Sequence, residues 1–194
     1  MNGYMKYALR QVKEEHLLAS LFCDPRYPED FSVGYVENVD NTHYLTCELT
    51  PWGVLDGWRV RRNRDLFYLE CDGEYERRMT LLMNHHQQVH LPLLDRELGE
   101  QEELMLEVMR FCMEQNRYVS IFRGEEMMTG KIREVNSLRV LIESRNFLGD
   151  EVRRESMTLG EIDVLCVGTQ EEEMYGILEE IDARQLRLLE AETT

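Results

Sequence analysis

One seven-residue phrase recurs along this chain: GYVENVD at Gly34 to Asp40, GKIREVN at Gly130 to Asn136, and GILEEID at Gly176 to Asp182. The shared form is Gly, any residue, an aliphatic, two polar positions, a β-branched aliphatic, then Asp or Asn. Internal repetition constrains a fold strongly, because each copy must suit an equivalent place. A shift of 96 positions superposes Gly34 on Gly130, Val36 on Ile132, Val39 on Val135, Leu45 on Leu141, Gly53 on Gly149, Leu66 on Ile162 and Leu69 on Leu165. A local shift of 92 instead lays Gly57 to Arg62 over Gly149 to Arg154, so the join near the second glycine stays open. The repetition implies two related units, residues 1 to 90 and 91 to 194, each a helix leading a bent antiparallel sheet. The third copy is either an extra hairpin on the second sheet or a terminal helix, since Met174, Ile177, Leu178, Ile181 and Leu188 also fit a helical face.

Local patterns support that organisation. Apolar residues from Tyr4 to Leu21 run at helical spacing up to Phe22, and Asp24-Pro25 and Tyr27-Pro28 then end the helix. Val33 to Val39 and Tyr44 to Glu48 read as a hairpin across Asp40-Asn41-Thr42. Trp58 to Arg62 and Leu66 to Cys71 add further short strands. Glu100 to Glu114 is the clearest helix, with Leu104, Met105, Val108, Met109 and Cys112 in register behind an acidic first turn. Tyr118 to Phe122, Met127 to Val135, Leu138 to Ile142 and Ile162 to Val167 then repeat the strand pattern.

A helix followed by short bent strands with V-x-I-x-x-G, a second Gly and aliphatic-x-x-aliphatic-Asp/Asn resembles the Sm-like fold. The matching residues are Val119, Ile121, Gly124, Gly130, Ile132, Val135 and Asn136, followed by Leu138, Val140 and Ile142. The first unit matches through Gly34, Val36, Val39 and Asp40 but lacks a comparable first strand, because Cys23 to Glu29 holds two prolines. The resemblance implies an α+β chain, mostly β, built from two Sm-like or SH3-like small bent-sheet barrels, each preceded by a helix. It also directs attention to RNA, which that family contacts through an Asn four residues after the Asp and an Arg-Gly after the fourth strand. Tyr44 and Val140 stand at the first of these places, and neither Leu69 to Asp72 nor Leu165 to Gly168 offers the second.

Charge narrows the partners. A net charge of −16 repels phosphate backbones and anionic lipid over most of the surface. No segment approaches bilayer-spanning length, and the N-terminal residues lack the apolar run of a secretory signal, so the expectation is a soluble cytoplasmic protein with no membrane role. Five scattered cysteines without a C-x-x-C pair read as reduced, mostly buried thiols.

Two constellations stand out as candidate sites. Trp58, Arg59, Arg61, Arg62 and Arg64 set four guanidinium forks beside Trp52, Phe67 and Tyr68. Such a patch pairs with the chain's own carboxylates or with another subunit, or else binds phosphate and an unstacked base. His86 and His90 would lie one turn apart on a helix, which is metal-ligand spacing, but Pro92 points to a solvated interdomain loop. No nucleophile elbow, phosphate loop or metalloprotease helix is present, so neither catalysis nor a cofactor is expected, metal-dependent hydrolysis at His86 and His90 being the one enzymatic alternative. The reading is a noncatalytic protein-interaction or assembly module that binds a protein partner or itself, with an RNA-binding regulator using Arg59 to Arg64 as the alternative.

Overall fold

The structure is a computed structural model that describes residues 3–99, 102–145 and 152–192. Its elements run α1 (Gly3–Glu14), β1 (Leu18–Phe22), β2 (Phe31–Val39), β3 (His43–Leu49), β4 (Leu55–Arg62), β5 (Tyr68–Cys71), α2 (Glu74–His85), α3 (Leu104–Glu114), β6 (Tyr118–Arg123), β7 (Glu126–Val135), β8 (Arg139–Arg145), β9 (Val152–Thr158), β10 (Val164–Val167) and α4 (Gln170–Glu192). The fold is mixed α+β, with every strand in one antiparallel sheet of order β5-β1-β2-β3-β4-β10-β6-β7-β8-β9. Each half repeats the same internal order, and the halves meet where β4 pairs with β10.

The strands do not separate into two closed bodies, as the expected two small bent-sheet barrels would if each were sealed. The second edge of β4 is occupied by β10, so β4 cannot close onto β5 and β10 cannot close onto β9. The sheet is therefore open and continuous. No described helix is long and apolar enough to cross a membrane.

A shift of 96 holds from β2 to α4, which removes the alternative of 92. The bulge between Val36 and Asn38 recurs between Ile132 and Glu134, and the 3-10 turns at Asn63–Asp65 and Leu159–Glu161 correspond. The repeated phrase now has a physical reading. A Cβ on Gly34 would sit 2.4 Å from the carbonyl oxygen of Cys47, and one on Gly130 would sit 2.4 Å from that of Glu143. Val36 and Ile132 are buried. Asp40 Oδ1 accepts the backbone N–H of Thr42 and of His43, both at 2.6 Å, and Asn136 Oδ1 accepts those of Leu138 and Arg139 at 2.9 and 3.1 Å, closing equivalent hairpin turns. The third copy lies inside α4, which settles the open choice as helix.

The first helix is shorter than its spacing suggests. It stops at Glu14, His16 turns through a left-handed φ of 51°, and Leu18–Phe22 becomes β1. The first half thus has the first strand that the prolines were expected to exclude; those prolines lie in the β1–β2 connection. Side chains of β1 alternate between two cores. Ala19 and Leu21 meet Leu9 and Val12 of α1, whereas Leu18 meets Met79 and Met83 of α2. The helix expected from Glu100 begins at Leu104. It packs Met105, Val108 and Met109 into a larger core that takes Leu45 and Val60 from the first half.

Helix α2 carries Tyr75, Met79, Leu82 and Met83 at helical spacing, although the sequence reading above places no helix there. Its buried Glu76 accepts a hydrogen bond from the Ser20 hydroxyl, and the buried Glu172 of α4 accepts one from Ser120. The same fastening therefore occurs in both halves. The five cysteines are free thiols, three of them buried. Burial pushes Cys47, Cys112 and Cys166 up to about 12, so they carry little thiolate at neutral pH.

Candidate functional site

The Arg59–Arg64 segment lies at the junction of the two halves, on β4 and the turn after it. Strand alternation puts Trp58 and Val60 toward the α3 core and Arg59 and Arg61 on the other face. That face is buried too. Arg61, 15% exposed, forms a fork with Glu48, and Arg59 Nη1 reaches the same carboxylate at 2.8 Å. Thr46 donates to Glu48 from 3.0 Å, and Arg59 also holds Asp56 at 2.8 Å. Burial alone would raise the Glu48 pKa, but the Arg61 and Arg59 guanidiniums outweigh it and leave the pKa lowered.

The remaining members of the segment serve the junction. Arg62 pairs with Asp65 at 2.7 Å and, across the seam, with Asp163. Arg64 is the exposed one at 67%, with Asp65 at 3.8 Å. Trp58 donates its indole N–H to Glu37 at 2.7 Å. Of the four arginines, three thus use their charge inside the chain. A cleft of about 680 Å³ beside them is lined by Thr42, His43, Arg62, Arg64, Met105 and Leu159. Asp40, Glu102 and Glu103 also line it, so its electrostatics are mixed rather than cationic.

The resemblance's RNA positions fall elsewhere than expected. Tyr44 and Val140 are fully buried. Leu69–Asp72 and Leu165–Gly168 belong to the fifth strand of each half and its C-terminal end, and the residues after the fourth strands are Asn63–Asp65 and Leu159–Glu161.

The seam itself is tightly built. Gly57 has a φ of +68°, and a Cβ there would lie 2.4–2.5 Å from backbone atoms of Gly168 and Val167. Asp56 Oδ1 accepts the N–H of Gln170 at 3.3 Å, and Asp40 Oδ2 accepts that of Leu104 at 2.7 Å, at the start of α3.

His86 and His90 do not share a helix, because α2 ends at His85. His86 Nε2 lies 3.1 Å from the Trp52 carbonyl oxygen. His90 does not sit in a solvated loop: its side chain is 23% exposed, its ring stacks on Tyr35 at 4.7 Å, and Nε2 lies 2.7 Å from Glu37 Oε1. Glu37 Oε2 accepts the N–H of Leu93 at 2.9 Å, and Gln88 Oε1 accepts that of Leu55 at 2.7 Å. The segment between α2 and α3 is therefore strapped onto the sheet. Glu37, Cys47 and His90 converge here, with ligand atoms all within 4.8 Å of one another. Sequence reasoning missed Glu37 and Cys47: Glu37 fills a polar position of the repeated phrase and reads as surface charge, and Cys47 lies in a strand with no metal-ligand spacing around it.

At the outer edge of the first half, aromatic rings cluster. Phe22 stacks on Phe31 at 5.0 Å and meets Tyr68 at 5.2 Å, and Phe31 meets Tyr75 edge-on at 5.2 Å. Phe67, Tyr68 and Tyr75 are exposed. Comparison with family models, curated proteins and solved structures returns no match for this chain.

Proposed function

We propose that this chain is a noncatalytic protein-interaction module that takes up an extended segment of a partner at an open edge of its sheet. The observation that carries this reading is the seam, where one edge strand has already been added to another inside the chain. Among the described residues, β5 and β9 have a neighbour on one side only. Such edges are templates for strand addition, with main-chain bonds giving affinity and flanking side chains giving choice. The exposed aromatic cluster beside β5 supplies apolar contact for a partner's side chains.

A separate protein is favoured over a second copy. If a second copy repeated the seam register, Glu70 would oppose Glu155 where the seam has Cys166 opposite Arg59, and Leu69 would oppose Ser156 where the seam has Leu165 opposite Val60. Like charges and a lost apolar pair weaken that contact. The purified chain is expected to remain monomeric at micromolar concentration by light scattering, and a concentration-dependent dimer would count against the argument.

Antiparallel alternation, set by the bond from Leu159 N–H to Leu138 O at 3.1 Å, turns the N–H groups of Arg154 and Ser156 away from β8. Ser156→Pro therefore removes an outward donor while leaving the β8–β9 ladder intact. Tyr68→Asp places a charge in the aromatic cluster at the other edge. Tagged chain is to be exposed to native lysate in nuclease-treated and untreated halves. A nuclease-resistant protein that one edge variant loses, with the unfolding midpoint held, supports the proposal. Retention by both variants, or copurifying RNA whose removal releases the proteins, would sink it and turn attention to Arg64.

A further inference from the structure

We propose that Glu37, Cys47 and His90 form a site for one divalent cation of the zinc class, which clasps the α2–α3 connection onto β2 and β3. The three residues come from three segments, and their ligand atoms lie within 4.8 Å of one another. Glu37 is the bulged residue of β2: the register passes from Val36 opposite Thr46 to Asn38 opposite Leu45, leaving Glu37 unpaired in the ladder. A bulge re-aims a side chain, and here it turns a carboxylate, 2% exposed, toward the Cys47 thiol and the His90 ring.

The duplication provides an internal comparison. The counterparts of Glu37 and Cys47 in the second half are Arg133, the bulged residue of β7, and Glu143. Those two form an ordinary ion pair at 2.7 Å. The backbone geometry is the same, yet the first half carries a carboxylate and a thiol at these places and adds an imidazole from the strap. An ion pair fastens a hairpin by itself, whereas carboxylate, thiol and imidazole together make a metal donor set.

The surroundings hold these donors in place. Trp58 Nε1 binds Glu37 Oε1 at 2.7 Å, the Leu93 N–H binds Oε2 at 2.9 Å, and Tyr35 stacks on the His90 ring. Such outer contacts fix ligand orientation in metal sites. Thiolate with imidazole and carboxylate suits zinc or cobalt, and not calcium or magnesium, which take oxygen ligands. Tetrahedral zinc with bonds of about 2.1 Å needs its nitrogen and oxygen ligands about 3.4 Å apart. The His90–Glu37 contact of 2.7 Å must therefore open by less than an ångström, on the more exposed side of the site. On binding, the thiol proton leaves to solvent and His90 ligates through neutral Nε2. Three protein donors leave one tetrahedral position for water.

The test is titration of the full reduced chain with Co²⁺ alone, followed by displacement with Zn²⁺. One equivalent should bind with tetrahedral d–d bands and a thiolate-to-metal charge-transfer band. Cys47→Ser should abolish the charge-transfer band, and His90→Gln should weaken binding at least about 10-fold. His86→Ala should leave both unchanged, because that ring contacts the Trp52 carbonyl instead. The proposal is overturned by absence of the thiolate band, by its survival in Cys47→Ser, or by unchanged affinity in His90→Gln. His90 is the most exposed of the three donors at 23%, so its variant decides the matter even where Cys47→Ser fails to fold.

Discussion

Glu48→Ala is expected to lower the unfolding free energy by about 3–5 kcal/mol, read as a shift in the urea midpoint at neutral pH. The variant leaves Arg61, buried on the face of β4 away from the α3 core, with no carboxylate, and takes from Arg59 one of its two partners. The cost is that of stranding a buried cation, which is larger than the net worth of the ion pair. Glu48→Leu combined with Arg61→Leu should therefore recover most of the loss, since Arg59 keeps Asp56. The pH dependence has a definite sign. Glu48 has a folded pKa below its ordinary value of 4.5, so its contribution is fully present above that value and is lost as pH falls through the folded pKa. Wild-type stability should drop on acidification below about pH 4.5, and the double variant should show a shallower drop. Equal acid sensitivity in both proteins would show that Glu48 is not the group responsible.

Gly130→Ala is expected to cost about 3 kcal/mol, while the same change at Gly176 should stabilise by about 0.5–1 kcal/mol. The two glycines open the same seven-letter phrase. At Gly130 a Cβ would lie 2.4 Å from Glu143 O, 2.7 Å from Ser144 Cα and 2.8 Å from Glu143 C, all backbone atoms of the neighbouring strand. Backbone cannot move aside as a side-chain tip can, so β7 and β8 must separate. At Gly176, inside α4, nothing lies within 4 Å, and alanine gains helix propensity. Thermal unfolding of the two variants side by side checks the pair. Equal effects would mean that the phrase has one structural meaning wherever it occurs.

That contrast also shows what the sequence made legible and what it hid. The strand copies were readable because Gly, a buried aliphatic and a turn-closing Asp or Asn act within one hairpin. The helical copy used the same letters at a different period, and only its surroundings chose between them. Leu18–Phe22 reads as a helix extension because five mostly apolar residues carry no period of their own; the left-handed His16 decides the matter. Helix α2 was legible in the spacing of Tyr75, Met79, Leu82 and Met83, but not the role of Glu76, which is buried and looks like surface charge. The arginine segment read as a patch because its partners Glu48 and Asp163 are distant in sequence. Convergence of Glu37, Cys47 and His90 depends on a bulge at the two consecutive polar positions of the repeated phrase, and on a His90 that is distant in sequence.

The seam joins the fourth strand of one half to the fifth strand of the other, so the two ends of the sheet are unlike: one is a fifth strand and the other a fourth. Nine interstrand steps separate them, about 43 Å measured along the sheet. The sheet therefore has a direction. On the edge-addition reading proposed above, a segment that fits one end has no reason to fit the other, so two partners would be held in a set order, as on a strip with marked ends.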